Sequence, residues 1–133
     1  MADTIVSYEG QLRCRAEHSA SGAVIVNDAP KDHHGRGEGF SPSDLLSVSL
    51  GGCILSIMGI AANAVDADIA GATATVSKDM ADAPRWIARI AVHVKVPGRF
   101  NARQRAKLEA AAHACPVHGV LGIAAPITID WTG

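Results

Sequence analysis

Alternating apolar and polar positions predict short strands near the start of this chain. In QLRCRAE, residues 11–17, Leu12, Cys14 and Ala16 fall on one face and charged residues fall on the other. A period of two is typical of a half-buried strand. A turn at 20–22 separates this strand from GAVIVND, and an earlier strand is predicted over 4–8. We expect Cys14 to pack in the core as a strand residue.

The second half of the chain carries the same alternation. IAGATATVSKD and RWIARIAVHVKV predict an antiparallel pair joined around ADAP, and PITIDW predicts a final strand. In the longest of these segments, apolar residues alternate with polar or small ones, which is typical of a strand with one solvated face. The apolar set is Ile90, Val92, Val94 and Val96.

Two helices are predicted between the strands. The first starts near Ser41 to Asp44, with Ser41 as a cap, Pro42 in the first turn and the carboxylate of Asp44 near the positive helix end. The second covers NARQRAKLEAAAHA with Asn101 as its cap. Cys115 follows it directly before Pro116, so we expect a break there and a new helical turn opened by the proline.

The first helix is apolar on all sides, because residues 45–65 contain no charged side chain. Such a stretch could span a bilayer, but about a third of it is serine, glycine or asparagine, and neither aromatic nor basic residues flank it. We therefore interpret it as a buried helix that must be covered on several sides. One small sheet covers one side, so a second subunit is expected.

The order of strands, helix, strands, helix and strand predicts an α+β fold in a single domain over 1–133. The polar, glycine-rich segment APKDHHGRGEGFSP is the long loop of the chain and a candidate wall of a binding site.

Composition narrows the classes of function. The net charge of −1 gives no electrostatic basis for binding nucleic acid or an anionic membrane. Met1 is followed by polar residues and not by a secretory leader, so we expect the reducing cytoplasm. There the 3 cysteines are more often reactive or metal-binding than structural. No phosphate-binding loop, dinucleotide fingerprint or Ser-His-Asp order is present, so no cofactor is expected.

Cys53 lies inside the apolar helix directly after Gly51 and Gly52. Each glycine in a helix interior costs about 1 kcal/mol relative to alanine. That cost indicates a local requirement, either the close approach of another segment or room for a ligand beside the sulfur. The alternative is that Cys53 is a small apolar core residue.

SPSDLLSVSLGGC, followed later by CPVH, resembles the OsmC/Ohr family of osmotically inducible and organic-hydroperoxide-resistance proteins, and looks closest to its OsmC-like branch. The resemblance covers nearly the whole chain, and the two cysteine motifs are specific together. It implies an intertwined homodimer, in which antiparallel sheets wrap long central helices and the sites lie at the subunit interface.

The resemblance also implies a chemistry. Cys53 matches the peroxidatic cysteine of the family and Cys115 the resolving one. Cys53 would reduce an organic hydroperoxide and become a sulfenic acid, Cys115 would close a disulfide, and an external dithiol would reset the pair. The implied function is a thiol-dependent peroxidase in oxidative stress defence.

The chain departs from the family pattern beside the peroxidatic cysteine. The position of the helix-start glutamate falls on Ser43, with Asp44 next to it, and the position of the arginine that holds the thiolate falls near HSASG, which has none. Arg36 in the glycine-rich loop is the substitute that we consider first, and His118 is a further supporting candidate. Arg13, Arg15 and His18 are the other candidate cations, and we expect the two arginines to be solvated strand residues.

Two other functions fit parts of the sequence. His113, Cys115 and His118 could ligate zinc with Cys53, although structural zinc sites usually show two compact pairs. A dimeric protein without enzymatic activity could bind an apolar small molecule in a pocket beside the thiol. Turnover of bulky hydroperoxides would distinguish a peroxidase from such a binding protein.

Overall fold

The structure is a computed structural model of the chain, and it describes residues 3–132. Over this range, six strands and three α-helices follow one another in an α+β order, which confirms the predicted fold class. The elements are β1 (Thr4–Gly10), β2 (Arg13–His18), β3 (Val24–Asp28), α1 (Pro42–Ala64), β4 (Thr73–Ala81), β5 (Trp86–Pro97), α2 (Ala102–His113), α3 (Pro116–Val120) and β6 (Ile127–Thr132).

The chain forms two compact units, the first ending at Leu46 and the second beginning at Ser47. The first contains an antiparallel sheet of order β1-β2-β3. We expected its middle strand to include Gln11 and Leu12, but these two residues have φ angles of 53° and 62°. Positive φ at both positions is what a two-residue hairpin turn requires, so the strand begins at Arg13. The prediction of a single domain stays a prediction.

The start of α1 is capped within the first unit as the sequence predicts. The Ser41 hydroxyl accepts a hydrogen bond from the Asp44 N–H at 3.1 Å, and the Asp44 carboxylate accepts one from the Ser41 N–H at 2.9 Å. This reciprocal pair is a capping box with aspartate in place of glutamate. The preceding glycine-rich loop contains one short 3₁₀ turn, Lys31–His33.

The second unit contains a sheet of order β4-β5-β6. The predicted hairpin of β4 and β5 is antiparallel, whereas β6 lies parallel to β5. Parallel neighbours need a crossover connection, and α2 with α3 supplies it between β5 and β6. In this sheet, β4 and β5 therefore form the predicted antiparallel pair, and β6 is the parallel neighbour.

The core of the second unit joins the apolar face of β5 to single faces of α1 and α2. The predicted apolar residues of β5, Ile90 to Val96, are all buried, while Arg89 before them and His93 and Lys95 between them are exposed. From α1 the core takes Leu50, Ile54, Met58 and Ala62, and from α2 it takes Leu108 and Ala112. Residues four positions apart lie on one face of a helix.

The rest of α1 is less covered than its composition led us to expect. By length and composition the helix could cross a membrane, but core helices of soluble proteins pass the same test, and 28% of its most apolar 18-residue window is buried within the chain. Val48 and Ile60 are both exposed, Ile60 to 68%. An open groove of about 510 Å³ lies along its C-terminal half, lined by residues that include Ser56, Gly59, Ile60 and Asn63.

Candidate functional site

Cys115 is the residue that caps α3. Its backbone is extended, with φ −62° and ψ 124°, and Pro116 occupies the first helical position. The Cys115 sulfur accepts a hydrogen bond from the His118 N–H at 3.4 Å. The sequence predicted the break before Pro116, and the residue before a first-turn proline is the cap position. The role of the thiol as the cap itself was not predicted.

Cys53 is half-buried in the middle of α1, and the two glycines before it have different surroundings. A Cβ on Gly51 would lie 3.1 Å from Cγ2 of Val76, so glycine lets α1 pack closely on β4. A Cβ on Gly52 would meet no atom within 4 Å. Close packing therefore accounts for Gly51, while no packing contact accounts for the exposed Gly52.

The side chains of Cys53 and Cys115 are in contact, because their thiols form a hydrogen bond with each other. Both cysteines are free, and Cys115 is the more buried of the two at 2% exposure. Burial is the main cause that raises the pKa of Cys115 above its ordinary value, and the hydrogen bond with Cys53 is the second cause. The peptide N–H groups of His118 and Val117 oppose this shift, because they stabilise the thiolate.

His118 contributes its side chain as well as its N–H to this region. Nε2 of its ring lies 2.7 Å from the carbonyl oxygen of Ala125. A carbonyl oxygen only accepts, so Nε2 carries a proton. His118 is thus tied both to the Cys115 sulfur and to the segment that leads into β6.

The zinc hypothesis finds no support in this geometry. Within residues 3–132, no three His, Cys, Asp or Glu side chains form a group that could hold a metal ion. The ring of His113 instead hydrogen-bonds through Nδ1 to the Glu109 carbonyl oxygen of its own helix, at 2.9 Å.

The remaining candidates from the sequence belong to the first unit. Ser43 shares a hydrogen bond of 3.2 Å with the Ser41 hydroxyl, and Asp44 completes the capping box described above. Arg36 donates a hydrogen bond to the Gln11 side chain at 2.7 Å. Cys14 is half-buried in β2, where it pairs with Tyr8 and Asn27 on the neighbouring strands.

The expectation that Arg13 is a solvated strand residue was wrong. Arg13 donates to both carboxylate oxygens of Asp28, at 2.7 and 2.9 Å, and Asp28 is buried. The hydrogen bond from Arg13 is the main cause that lowers the pKa of Asp28. The Glu38 N–H also donates to Asp28, at 3.2 Å. The buried Asp28 carboxylate, held by the half-buried Arg13, therefore anchors the glycine-rich loop to the first sheet.

Comparisons with known proteins agree with this architecture. The model of the OsmC-like protein family matches residues 35–131. A crystal structure from Psychrobacter arcticus, described as a candidate osmotic stress induced and detoxification response protein, is 36% identical. It covers 98% of this chain and 96% of its own, with a TM-score of 0.89. No curated protein matches the sequence significantly.

More distant structures share the fold. The organic hydroperoxide resistance protein OsmC of Legionella pneumophila is 15% identical, with a TM-score of 0.75 and coverage of 100% of this chain and 97% of that one. An organic hydroperoxide resistance protein of Elizabethkingia anophelis is 14% identical, with a TM-score of 0.75 and coverage of 98% and 95%. The fold and the family match define an α+β protein of the OsmC type. The chain belongs to the OsmC-like family, as the two cysteine motifs predicted.

Proposed function

We propose that this protein is a thiol-dependent peroxidase that reduces organic hydroperoxides through Cys53 and Cys115, in defence against oxidative stress in the cytoplasm. The observation that carries the proposal is the hydrogen bond between the two free thiols, which lie far apart in the sequence. The family supports a peroxide-related role, since two structures of this fold are described as organic hydroperoxide resistance proteins.

The proposed reaction has three steps. The Cys53 thiolate attacks the distal oxygen of the hydroperoxide, the O–O bond breaks, and the alkoxide takes a proton and leaves as an alcohol. Cys53 is then a sulfenic acid. The Cys115 thiolate attacks its sulfur, an S–S bond forms, and the hydroxide leaves as water after taking a proton. An external dithiol reduces this disulfide by exchange and is itself oxidised.

Burial supports the assignment of the two roles. Cys53 is half-buried, so it is the more accessible of the two cysteines to a hydroperoxide. Cys115 is almost fully buried and its pKa is raised, so it is the poorer first nucleophile. Its place in contact with Cys53 suits the second step.

The surroundings of Cys53 favour an organic substrate over hydrogen peroxide. Cys53 packs against the apolar core, as do the partly buried side chains of Leu55, Val117 and Leu121. Apolar side chains stabilise a bound alkyl or aryl group and offer nothing to a small polar peroxide.

We also propose that the protein is a homodimer. Exposed apolar side chains support this in both units: Val48 and Ile60 on α1, and Ile5 and Val6 on β1. Large apolar side chains exposed on a strand and along a helix are typical of surfaces that another subunit covers. Sedimentation velocity should give a dimer, and Ile60→Asp should weaken it while Lys107→Asp, on an exposed face of α2, should not. A stable monomer at micromolar concentration would contradict the dimer.

Single-turnover kinetics test the peroxidase activity. Reduced protein mixed with cumene hydroperoxide should consume one equivalent of peroxide in a burst, and a dithiol should restore the burst. Cys53→Ser should abolish it, because a hydroxyl is far less nucleophilic than a thiolate at neutral pH. Cys14→Ser is the matched control and should keep it. If the unmodified protein shows no burst, the activity is refuted and the binding of an apolar ligand becomes the better hypothesis.

A further inference from the structure

The His118 side chain makes a contact that the peroxidase chemistry itself does not require. Its ring Nε2–H donates to the Ala125 carbonyl oxygen at 2.7 Å, while its own peptide N–H donates to the Cys115 sulfur at 3.4 Å. His118 thus connects the Cys115 thiol to Ala125, seven residues after His118 in the sequence.

The partner of the ring is firmly held. Ala124 and Pro126, on either side of Ala125, accept hydrogen bonds from the peptide N–H groups of Ile90 and Val92, both at 2.9 Å. Ile90 and Val92 are core residues of β5. The ring of His118 therefore ties a helix of only five residues, α3, to a fixed part of the sheet.

The short helix needs such a tie to hold its position. An isolated helix of this length is not stable in water, and Gly119 follows His118 directly and adds backbone freedom. In α3, the Gly119 N–H donates to the Cys115 carbonyl oxygen at 3.0 Å, and at its end the Leu121 N–H donates to the His118 carbonyl oxygen at 3.3 Å. The ring contact is shorter and reaches outside the helix.

We propose that His118 is a positioning residue for the thiol of Cys115: its ring anchors α3 to the segment before β6, and this keeps its peptide N–H directed at the sulfur. The consequence is that Cys115 reacts faster with an oxidised Cys53. This inference rests on the proposed peroxidase function for its kinetic consequence, but the effect on the thiol is independent of turnover.

The anchor does not depend on the protonation of the ring. The tautomer with its proton on Nε2 and the imidazolium form both carry that proton, so either form donates to the Ala125 carbonyl oxygen. The groups that act on the Cys115 thiol from neighbouring elements are the Cys53 thiol on α1 and the two peptide N–H groups of α3. His118 thus acts through its peptide group, not through its charge.

The first test measures the thiolate directly. In a Cys14→Ser, Cys53→Ser background, Cys115 is the single thiol, and its ionisation can be followed by thiolate absorbance as pH is raised. His118→Phe keeps a planar ring without the donor and should raise the pKa of Cys115, because the peptide N–H no longer stabilises the thiolate. His118→Gln restores a donor at the same reach and should return the pKa towards that of the background.

His113→Phe is the matched control for this titration. His113 lies two residues before Cys115 and also bonds a main-chain carbonyl, but within its own helix. It should leave the titration unchanged. Equal titration curves for the His118→Phe and His113→Phe variants would overturn the inference.

The second test separates the two chemical steps in the otherwise unmodified protein. His118→Phe should leave the rate of sulfenic acid formation on Cys53 unchanged and slow its conversion to the disulfide about tenfold, the size expected for losing a hydrogen bond to a charged atom. An equal slowing of both steps, or of neither, contradicts the inference. A titration shift without any peroxide burst would refute the peroxidase function and leave the positioning role intact.

A measurement on the unmodified protein covers the case in which His118→Phe does not fold. Nitrogen NMR of the histidine ring distinguishes the two neutral tautomers. A neutral His118 ring protonated on Nε2, with its peptide proton shifting as Cys115 ionises, is the expected result. A ring protonated on Nδ1, or a peptide proton indifferent to the thiol, would overturn the proposal.

Discussion

The thiol of Cys53, in the middle of α1, hydrogen-bonds the thiol of Cys115, which caps α3. The two positions differ in burial, since Cys53 is half-buried in a helix interior and Cys115 is almost fully buried. Their contact places two thiols where they could form a disulfide. These are the two cysteines that the family resemblance paired. The predictions below concern this contact and the core around it.

Mild oxidation should link these two residues. We expect diamide or one equivalent of hydroperoxide to produce a Cys53–Cys115 disulfide within one chain, because thiols already in contact need little movement to reach bonding distance. Peptide mapping by mass spectrometry without reduction identifies the linkage. Cys14→Ser should give the same product, and a disulfide that includes Cys14 would contradict the expectation.

Replacing the second thiol should arrest the reaction after its first step. Cys115→Ser should still consume one equivalent of hydroperoxide and should accumulate a sulfenic acid on Cys53, which a dimedone reagent traps for mass spectrometry. Sulfinic acid should increase with excess peroxide, since no thiol intercepts the intermediate. Normal disulfide formation in this variant would show that another cysteine resolves Cys53.

The raised pKa of Cys115 predicts a loss of stability at alkaline pH. The folded state holds the thiol proton more tightly than the unfolded state, where the pKa is close to its ordinary value of 9.0. The contribution to stability is complete below that value and is lost as pH rises through the folded pKa. Urea midpoints measured between about pH 8 and about pH 10 should fall less steeply in Cys115→Ala. Parallel curves for the two proteins would contradict the burial of a neutral thiol.

The core contact of α2 can be tested with a pair of adjacent residues. Leu108 is fully buried in the core of the second unit, whereas Lys107 is exposed. Leu108→Ala should lower the free energy of unfolding by about 2–5 kcal/mol, because the change leaves a cavity. Lys107→Ala should change it by less than about 0.5 kcal/mol. Equal effects in chemical denaturation would place α2 outside the core.

Local features of the fold could be predicted from the sequence because their causes are local. The alternation from Ile90 to Val96 identified β5 and its buried face, since side chains on a strand alternate regardless of the partner strand. Asn101 and Pro116 marked the starts of α2 and α3, because capping depends on residues a few positions apart. The family followed from two cysteine motifs in the right order.

Long-range features were decided by the tertiary structure. Three contacts join segments that are distant in the sequence, so neither periodicity nor capping could predict them. They are the parallel pairing of β6 with β5, the ion pair of Arg13 with Asp28 and the hydrogen bond of His118 to Ala125. No spacing rule predicts a hydrogen bond between Cys53 and Cys115 either, and the family resemblance alone indicated that pair. The sequence by itself therefore determined the elements and the family of this protein. Only the tertiary structure brought the two thiols into contact, because that contact requires α1 and the start of α3 to pack on the same core.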